Sequence, residues 1–293
     1  MSTRVLPEFR LIVPTTVDEA IGILGERKEK VRILAGGTDI LVEMKCADRG
    51  ADTLVKINRL SELDFITYSS ERGLTIGALT TIRAIADSPF MKQSYPLMID
   101  AARDFANIQI MNMGTIGGNV CNASPAGDFL PCLMAMNAEV VLRSSAGQRE
   151  VNISEFFTGP RKSQIRPGEI AVAITAPELS TQHSSGFVRF TRTAEDLAKV
   201  SAAVVLKIED GKFSDVRIAL GSVAPTPIRV RDAEDFLKNQ EVTDAFIGEA
   251  AKIAQAGIRP ISDFRSTADY RTDITSVAVK QAIAIALARR NAQ

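Results

Sequence analysis

Two glycine-rich segments carry the residue types needed to hold a phosphate-bearing ligand. In Arg32-Ile33-Leu34-Ala35-Gly36-Gly37-Thr38-Asp39-Ile40 an apolar run ends in paired glycines, followed by a hydroxyl and a carboxylate. Glycines let a backbone approach a ligand closely and expose successive N–H groups, a concavity that suits phosphate oxygens. Thr38 adds a hydroxyl donor. Asp39 is a poor direct partner for phosphate and better suited to a sugar hydroxyl or to ordering the loop. The second segment, Asn112 to Asp128, contains Gly114, Thr115, Gly117, Gly118, Asn119, Asn122, Ser124, Gly127 and Asp128. It is expected to be a long loop without regular structure, and such loops are usually functional or disordered. Apolar helical segments on both sides argue against disorder. Two such turns far apart in the chain point to a diphosphate clamped between them. Neither is a G-x-x-x-x-G-K-[ST] P-loop, and neither is a G-x-G-x-x-G following a strand. Taken singly, the first segment also reads as a plain Gly-Gly turn closing a strand, and Asp128 as the N-cap of a helix beginning at Phe129.

Few other residues offer chemistry. His183 is the only histidine and sits in the polar run Ser180 to Ser185, expected to be an exposed linker. That removes most Ser–His and histidine-metal hydrolase readings. Cys46, Cys121 and Cys132 are widely spaced and form no C-x-x-C pair, so they are expected to be free thiols with no zinc or iron–sulfur ligand set. Cys121, inside the second segment, reads as a small packed residue.

The elements that must position these segments alternate. Strands are predicted over Phe9–Pro14, Val31–Ala35 and Thr53–Ile57, with a helix from a Thr16 N-cap to about Gly25, Glu19 lying three residues after the cap. A second lobe beginning near Ser61 carries strands at Leu74–Gly77, Ala138–Arg143 and Ile170–Ile174 and helices from Thr81 and Tyr95. The last third is strand-rich, with Glu209-Asp210-Gly211 as a hairpin turn, followed by helices over Arg231–Lys238, Thr243–Gln255 and Thr275–Arg290. The 293 residues suffice for two domains. Lysine plus arginine and aspartate plus glutamate both number 35, so the chain lacks the basic excess of a nucleic-acid binder. No apolar run reaches membrane-spanning length, and the N-terminal residues have no apolar signal core, so a cytoplasmic protein is expected.

Ala35-Gly36-Gly37-Thr38-Asp39, followed by Thr115-Ile116-Gly117-Gly118-Asn119 and Ala123-Ser124-Pro125-Ala126-Gly127-Asp128, resembles the FAD-binding medium subunit of the xanthine dehydrogenase and carbon monoxide dehydrogenase family. Further blocks in the family's order are Phe156-Phe157-Thr158-Gly159, Arg166-Pro167-Gly168-Glu169-Ile170, Ala194 to Val200, and Ser262 to Arg271. The resemblance implies an α+β fold. It has a two-lobed FAD-binding region of the vanillyl-alcohol-oxidase (PCMH) type over residues 1–178, with lobes of about 1–58 and 59–178. A C-terminal domain over 182–293 combines a three-stranded antiparallel sheet with a helical bundle.

By the same resemblance Leu34 through Ile40 would line the FAD pyrophosphate. Gly114, Thr115, Gly118, Asn119, Asn122, Gly127 and Asp128 would hold the diphosphate, ribityl chain or ribose from the other lobe. Phe105, Ala106 and Ile110 match flavin-pocket positions, Ile170 packs near the adenine side, and Arg189 stands where xanthine dehydrogenases have a lysine near FAD. Phe105 and Ile110 also read as plain core, and Arg192 and Lys199 as solvated charges. The lone histidine makes non-covalent FAD the expectation. The resemblance further implies a small [2Fe–2S] partner subunit, a large molybdenum-cofactor subunit and a dimer of heterotrimers. In that assembly the chain would relay electrons from the clusters to NAD+ or another acceptor. A self-sufficient flavin reductase and a non-redox nucleotide-binding module stay open as alternatives.

Overall fold

A computed structural model of the chain describes residues 5–26, 30–46 and 50–291. Met1 to Arg4, which belong to the segment read as lacking a signal core, lie outside the described residues. The N-terminal lobe runs β1 (Arg10–Ile12), α1 (Val17–Glu26), β2 (Val31–Leu34), α2 (Ile40–Lys45) and β3 (Thr53–Lys56). Its strands form a parallel sheet in the order β1-β3-β2. Parallel neighbours need a crossover, which α1 and α2 supply. Thr16 caps α1, its Oγ accepting from Glu19 N at 3.1 Å, while Glu19 accepts from Thr15 N and Oγ. Val17, Ala20 and Ile21 bury one face of that helix.

The second lobe begins with β4 (Ile66–Ser69) and β5 (Gly73–Gly77), then α3 (Ile82–Asp87), α4 (Pro89–Ser94), α5 (Pro96–Arg103) and α6 (Ile108–Met113). It continues with α7 (Ile116–Asn122), α8 (Phe129–Ala135), β6 (Glu139–Ser144), β7 (Gly147–Asn152), α9 (Ile153–Phe156), β8 (Phe157–Gly159), β9 (Lys162–Ser163) and β10 (Ile170–Ala176). The main sheet is antiparallel, in the order β4-β5-β10-β6-β7. Residues 112–131 are therefore not the irregular loop expected from their composition. Ile116 and Val120, one helical turn apart, are fully buried, and Thr115 caps α7 by accepting from Gly118 N at 3.0 Å. The paired glycines hid the helical period, and Gly117 is needed where α7 packs closely: a Cβ there would meet Ala78 at 2.6–2.9 Å.

The last third comprises β11 (His183–Phe190), β12 (Val200–Glu209), β13 (Lys212–Gly221), β14 (Ile228–Arg229), α10 (Arg231–Leu237), α11 (Asp244–Ala256) and α12 (Ala268–Asn291). Three long antiparallel strands carry the sheet, and two-residue β14 extends its edge. The β12–β13 turn has positive φ at both Asp210 (49°) and Gly211 (74°), as a two-residue type I′ hairpin requires. Both faces of this sheet are buried. Ala202, Val204 and Leu206 face α10–α12, whereas Ala203 and Val205 join the core of the second lobe. Such a strand reads as a continuous apolar run rather than an alternation.

Two expectations are corrected here. His183 opens β11, paired with Lys207, instead of lying in a linker; the polar Ser180–Ser185 run is tolerated because β11 is a sheet edge. Helix α12 starts seven residues before the predicted Thr275, its first turn hidden in a polar stretch. No helix among the described residues is long and apolar enough to cross a membrane.

Candidate functional site

A cavity of about 610 Å³ lies between the two N-terminal lobes, within the range of cofactor-sized sites. Its first wall is the turn after β2. Ala35, Gly36, Gly37, Thr38, Asp39 and Ile40 line it, and Gly37 has φ +77°. Among the described residues, the amides of Gly36, Gly37, Thr38 and Asp39 have no protein acceptor. Four successive unclaimed donors beside a cavity are what an anionic ligand needs. Gly36 is obligatory for a second reason: a Cβ there would overlap the Met113 carbonyl of the other lobe.

The second wall is the start of α7. Gly114, Thr115, Gly117, Gly118, Asn119, Cys121 and Asn122 line the cavity. Its amides are already used: Ile116 N donates to Thr80 O, Gly117 N to Ala78 O, Gly118 N to Thr115 Oγ and Asn119 N to Thr115 O. This wall therefore offers mainly side chains, with the Thr115 amide as its one unclaimed backbone donor among the described residues. Asn119 Oδ1 is buried without a partner, an unmet acceptor that a ligand hydroxyl can satisfy. Cys121 is half-buried at the cavity wall, and burial pushes its thiol up to about 12, so it stays protonated.

Sequence reasoning missed a third wall, the Ile165–Ala171 segment, although Ile170 was expected. Arg149 on β7 forks onto Glu169 at 2.7 and 2.8 Å, and Glu169 accepts from Arg166 N at 2.7 Å, fixing the Arg166-Pro167-Gly168 turn over the opening. The Arg149 hydrogen bonds hold the Glu169 carboxyl below its ordinary value. The turn dipeptide Pro167-Gly168 was the available signal, and Gly168 takes the positive φ (81°) such a turn uses.

Charge is managed at the near end. Burial raises the Asp39 carboxyl, partly offset by the Arg161 charge and the Asn122 amide. Buried Glu43 pairs with both Arg32 (3.0 Å) and Arg161, tying α2 to the β8–β9 turn. Desolvation lowers the Arg32 guanidinium.

Six expected site residues do not line the cavity. Leu34 is packed with Ile40, Met44 and Leu54 beneath the glycine turn. The Ile110 carbonyl accepts from Gly114 N at 2.6 Å, and Ala106 supplies a left-handed turn (φ 42°) after Phe105. Phe105 does line the cavity, 5.8 Å from the Phe129 ring. Gly127 abuts Asn119 Oδ1 and Leu130. Asp128 stands before α8 but makes no side-chain cap; its Oδ2 instead pairs with Arg189 at 3.0 Å. Arg189 and Asp128 are both buried, 4% and 5% exposed, behind the wall. His183 is held between Ser180 Oγ (2.8 Å) and Asp215 (3.3 Å), away from the cavity.

Comparison with known proteins gives a coherent answer. The family described as the FAD binding domain in molybdopterin dehydrogenase matches residues 7–179, and the carbon monoxide dehydrogenase flavoprotein C-terminal domain matches residues 185–286. The glyceraldehyde dehydrogenase medium chain of Sulfolobus acidocaldarius is 33% identical over 94% of this chain and 97% of its own length. The xanthine dehydrogenase FAD-binding subunit of Escherichia coli O157:H7 is 30% identical over 93% and 94%. A solved carbon monoxide dehydrogenase from Hydrogenophaga pseudoflava superposes with a TM-score of 0.94 at 33% identity, over 97% of this chain and 99% of that one.

Proposed function

The chain belongs to the family of FAD-binding medium subunits of xanthine and carbon monoxide dehydrogenases, and we propose that within a molybdenum hydroxylase it relays electrons from a partner's [2Fe–2S] clusters to NAD+ or another acceptor. The observation that supports this reading best is the opposition of four unclaimed amides, Gly36 to Asp39, to the Thr115–Asn122 wall across one cavity. The residues fit the cofactor: donors for a diphosphate, a glycine whose Cβ would close the cleft, and an orphaned acceptor at Asn119 for a hydroxyl.

In this reading Gly36, Gly37, Thr38 and Asp39 hold the diphosphate through backbone N–H groups. Asn119 accepts from a sugar hydroxyl, Phe105 shields one end, and Ile170 with the Arg166–Gly168 turn covers the other. Bound FAD exchanges electrons singly or in pairs, the property a junction between one-electron and two-electron carriers requires. The chain's residues position the cofactor and exclude water; the substrate chemistry belongs to the partner carrying the molybdenum cofactor. The FAD is held non-covalently. The boundary between the FAD-binding region and the C-terminal domain falls at about residues 178–182, and the assembly is a dimer of heterotrimers.

The test is to purify the chain with its co-expressed partners, record the visible spectrum, and identify cofactor released by acid. FAD in the supernatant, together with bleaching by the complex's substrate but not in the isolated chain, is the expected result. Mixing the reduced complex with NAD+, oxygen or a quinone then identifies the acceptor by which one restores the absorbance. A complex that releases no FAD on acid treatment would sink the reading, and substrate turnover by the chain alone would replace it with a self-sufficient flavoenzyme.

A further inference from the structure

Arg189 matches a position expected to touch the cofactor, yet both of its Nη groups are engaged by protein and it does not line the cavity. Nη1 donates to Asp128 Oδ2 at 3.0 Å and to the Asp196 carbonyl at 3.3 Å. Nη2 donates to the Ala194 carbonyl at 2.5 Å and to the Asp104 carbonyl. The two Nη atoms carry four hydrogens, and four acceptors take them.

The acceptors are not scattered. Asp104 and Asp128 each precede an aromatic residue, and those residues, Phe105 and Phe129, form a ring pair with centroids 5.8 Å apart. Phe105 lines the cavity, and the left-handed Ala106 follows it. Arg189 thus grips the chain immediately before both rings. It also holds Asp128 by one oxygen while the other, Oδ1, is buried and unpartnered beside Gly127 and α8.

We propose that Arg189 is a positioning residue for the Phe105 end of the cavity: it fixes the Asp128 carboxylate and the Asp104–Ala106 turn, and does not itself contact the ligand. The inference rests on the reading of the cavity as the FAD site. It assigns to Arg189 a role that depends on the planar fork of the guanidinium rather than on its charge. A lysine has three donors on one atom and cannot reach four diverging acceptors.

The charged groups facing Asp128 are Arg189 on β11, Asp104 after α5 and the Cys132 thiol on its own helix. Burial raises the Asp128 carboxyl to about 6, and Arg189 is the group that opposes the rise. Withdrawing the arginine therefore moves this titration to higher pH, and FAD retention follows it only if the pair positions the cavity.

The experiment measures FAD affinity, flavin absorption and the pH dependence of FAD retention in the complex assembled with its partners, for Arg189→Lys, Arg189→Gln, Asp128→Asn and Arg189→Gln/Asp128→Asn. Asp128→Asn keeps the side-chain shape and serves if the arginine variants fold poorly. The expected result is an affinity loss of about tenfold or more in Arg189→Lys despite its retained charge, with an altered flavin band shape. The acid-side midpoint of FAD retention should rise in Arg189→Gln and vanish in both variants carrying Asp128→Asn. The double variant should be within about threefold of its weaker parent, because the two side chains act as one unit.

Wild-type affinity and spectrum in Arg189→Lys would overturn the proposal while leaving the FAD reading intact. So would multiplicative losses in the double variant, the mark of a direct ligand contact. Wild-type complex without FAD would remove the FAD reading and this inference with it.

Discussion

Gly36 shows how much a single missing Cβ can decide. The Met113 carbonyl occupies the space a side chain would need, and backbone cannot swing aside as a flexible side chain can. Gly36→Ala should therefore push the lobes apart and weaken FAD binding by at least about tenfold, read by fluorescence titration of the apo complex. Gly22, half-buried in the middle of α1, is the counter-case, with nothing within 4 Å of its absent Cβ. Gly22→Ala should raise stability by about 0.5–1 kcal/mol, visible as a higher thermal midpoint with unchanged FAD affinity. The sequence marks both positions alike as glycine. What distinguishes them is a contact between residues 36 and 113, far apart in the chain and invisible to any local pattern. The partners of Arg189 escaped for the same reason, since Asp104 and Asp128 flank helices of the second lobe.

Among elements, the turn over the cavity opening depends on Glu169. Its carboxyl lies below the ordinary 4.5 because Arg149 hydrogen-bonds to the charged form. A depressed folded-state value means that the stabilisation is present above the ordinary carboxylate range and is lost as pH falls through the lowered value. Glu169→Gln should thus cost about 1–3 kcal/mol at neutral pH, a difference that shrinks to nothing in acid melts below the carboxylate range. FAD affinity should fall alongside it as the Arg166–Gly168 turn loosens. Elements with a strong local rule were legible: the Thr16 cap, the β12–β13 hairpin and the Thr243 cap of α11, which accepts from Phe246 N. Elements that violate local rules for a tertiary reason were not. Helix α7 carries Gly117 because it packs on Ala78, and Gly118 beside the Thr115 cap hydroxyl. Strand β11 begins with a histidine and two serines because it lies at an edge.

At the scale of the whole molecule, the FAD-binding region and the C-terminal sheet share one packed face and a buried clasp. Arg289 on α12 forks onto Asp100 of α5 with both bonds at 2.7 Å and also donates to the Ser185 carbonyl. Arg289→Leu leaves Asp100 buried without its cation and should destabilise by about 3–5 kcal/mol, whereas Arg289→Leu with Asp100→Asn should recover much of the loss. Chemical denaturation of the wild type and the two variants checks this. The division into two lobes and a strand-then-helix last third was readable from the order of apolar runs and turns. How closely the parts join was not, because Ala203 and Val205 look like any other residues of an apolar strand.

Among the described residues the N-terminal lobe has three short strands, and beside its small local core of Leu34, Ile40, Met44, Ala51 and Leu54 it shares a buried apolar cluster with the neighbouring lobe through Leu79 and Ile170. A ligand seated between the lobes contributes cohesion in proportion to its saturation. Newly made chain that has not yet met its cofactor is thus the more perishable form, and opening of the first lobe is its weak point. Vitamin supply, by way of that lobe, would set how many chains survive proteolysis long enough to find their partner subunits.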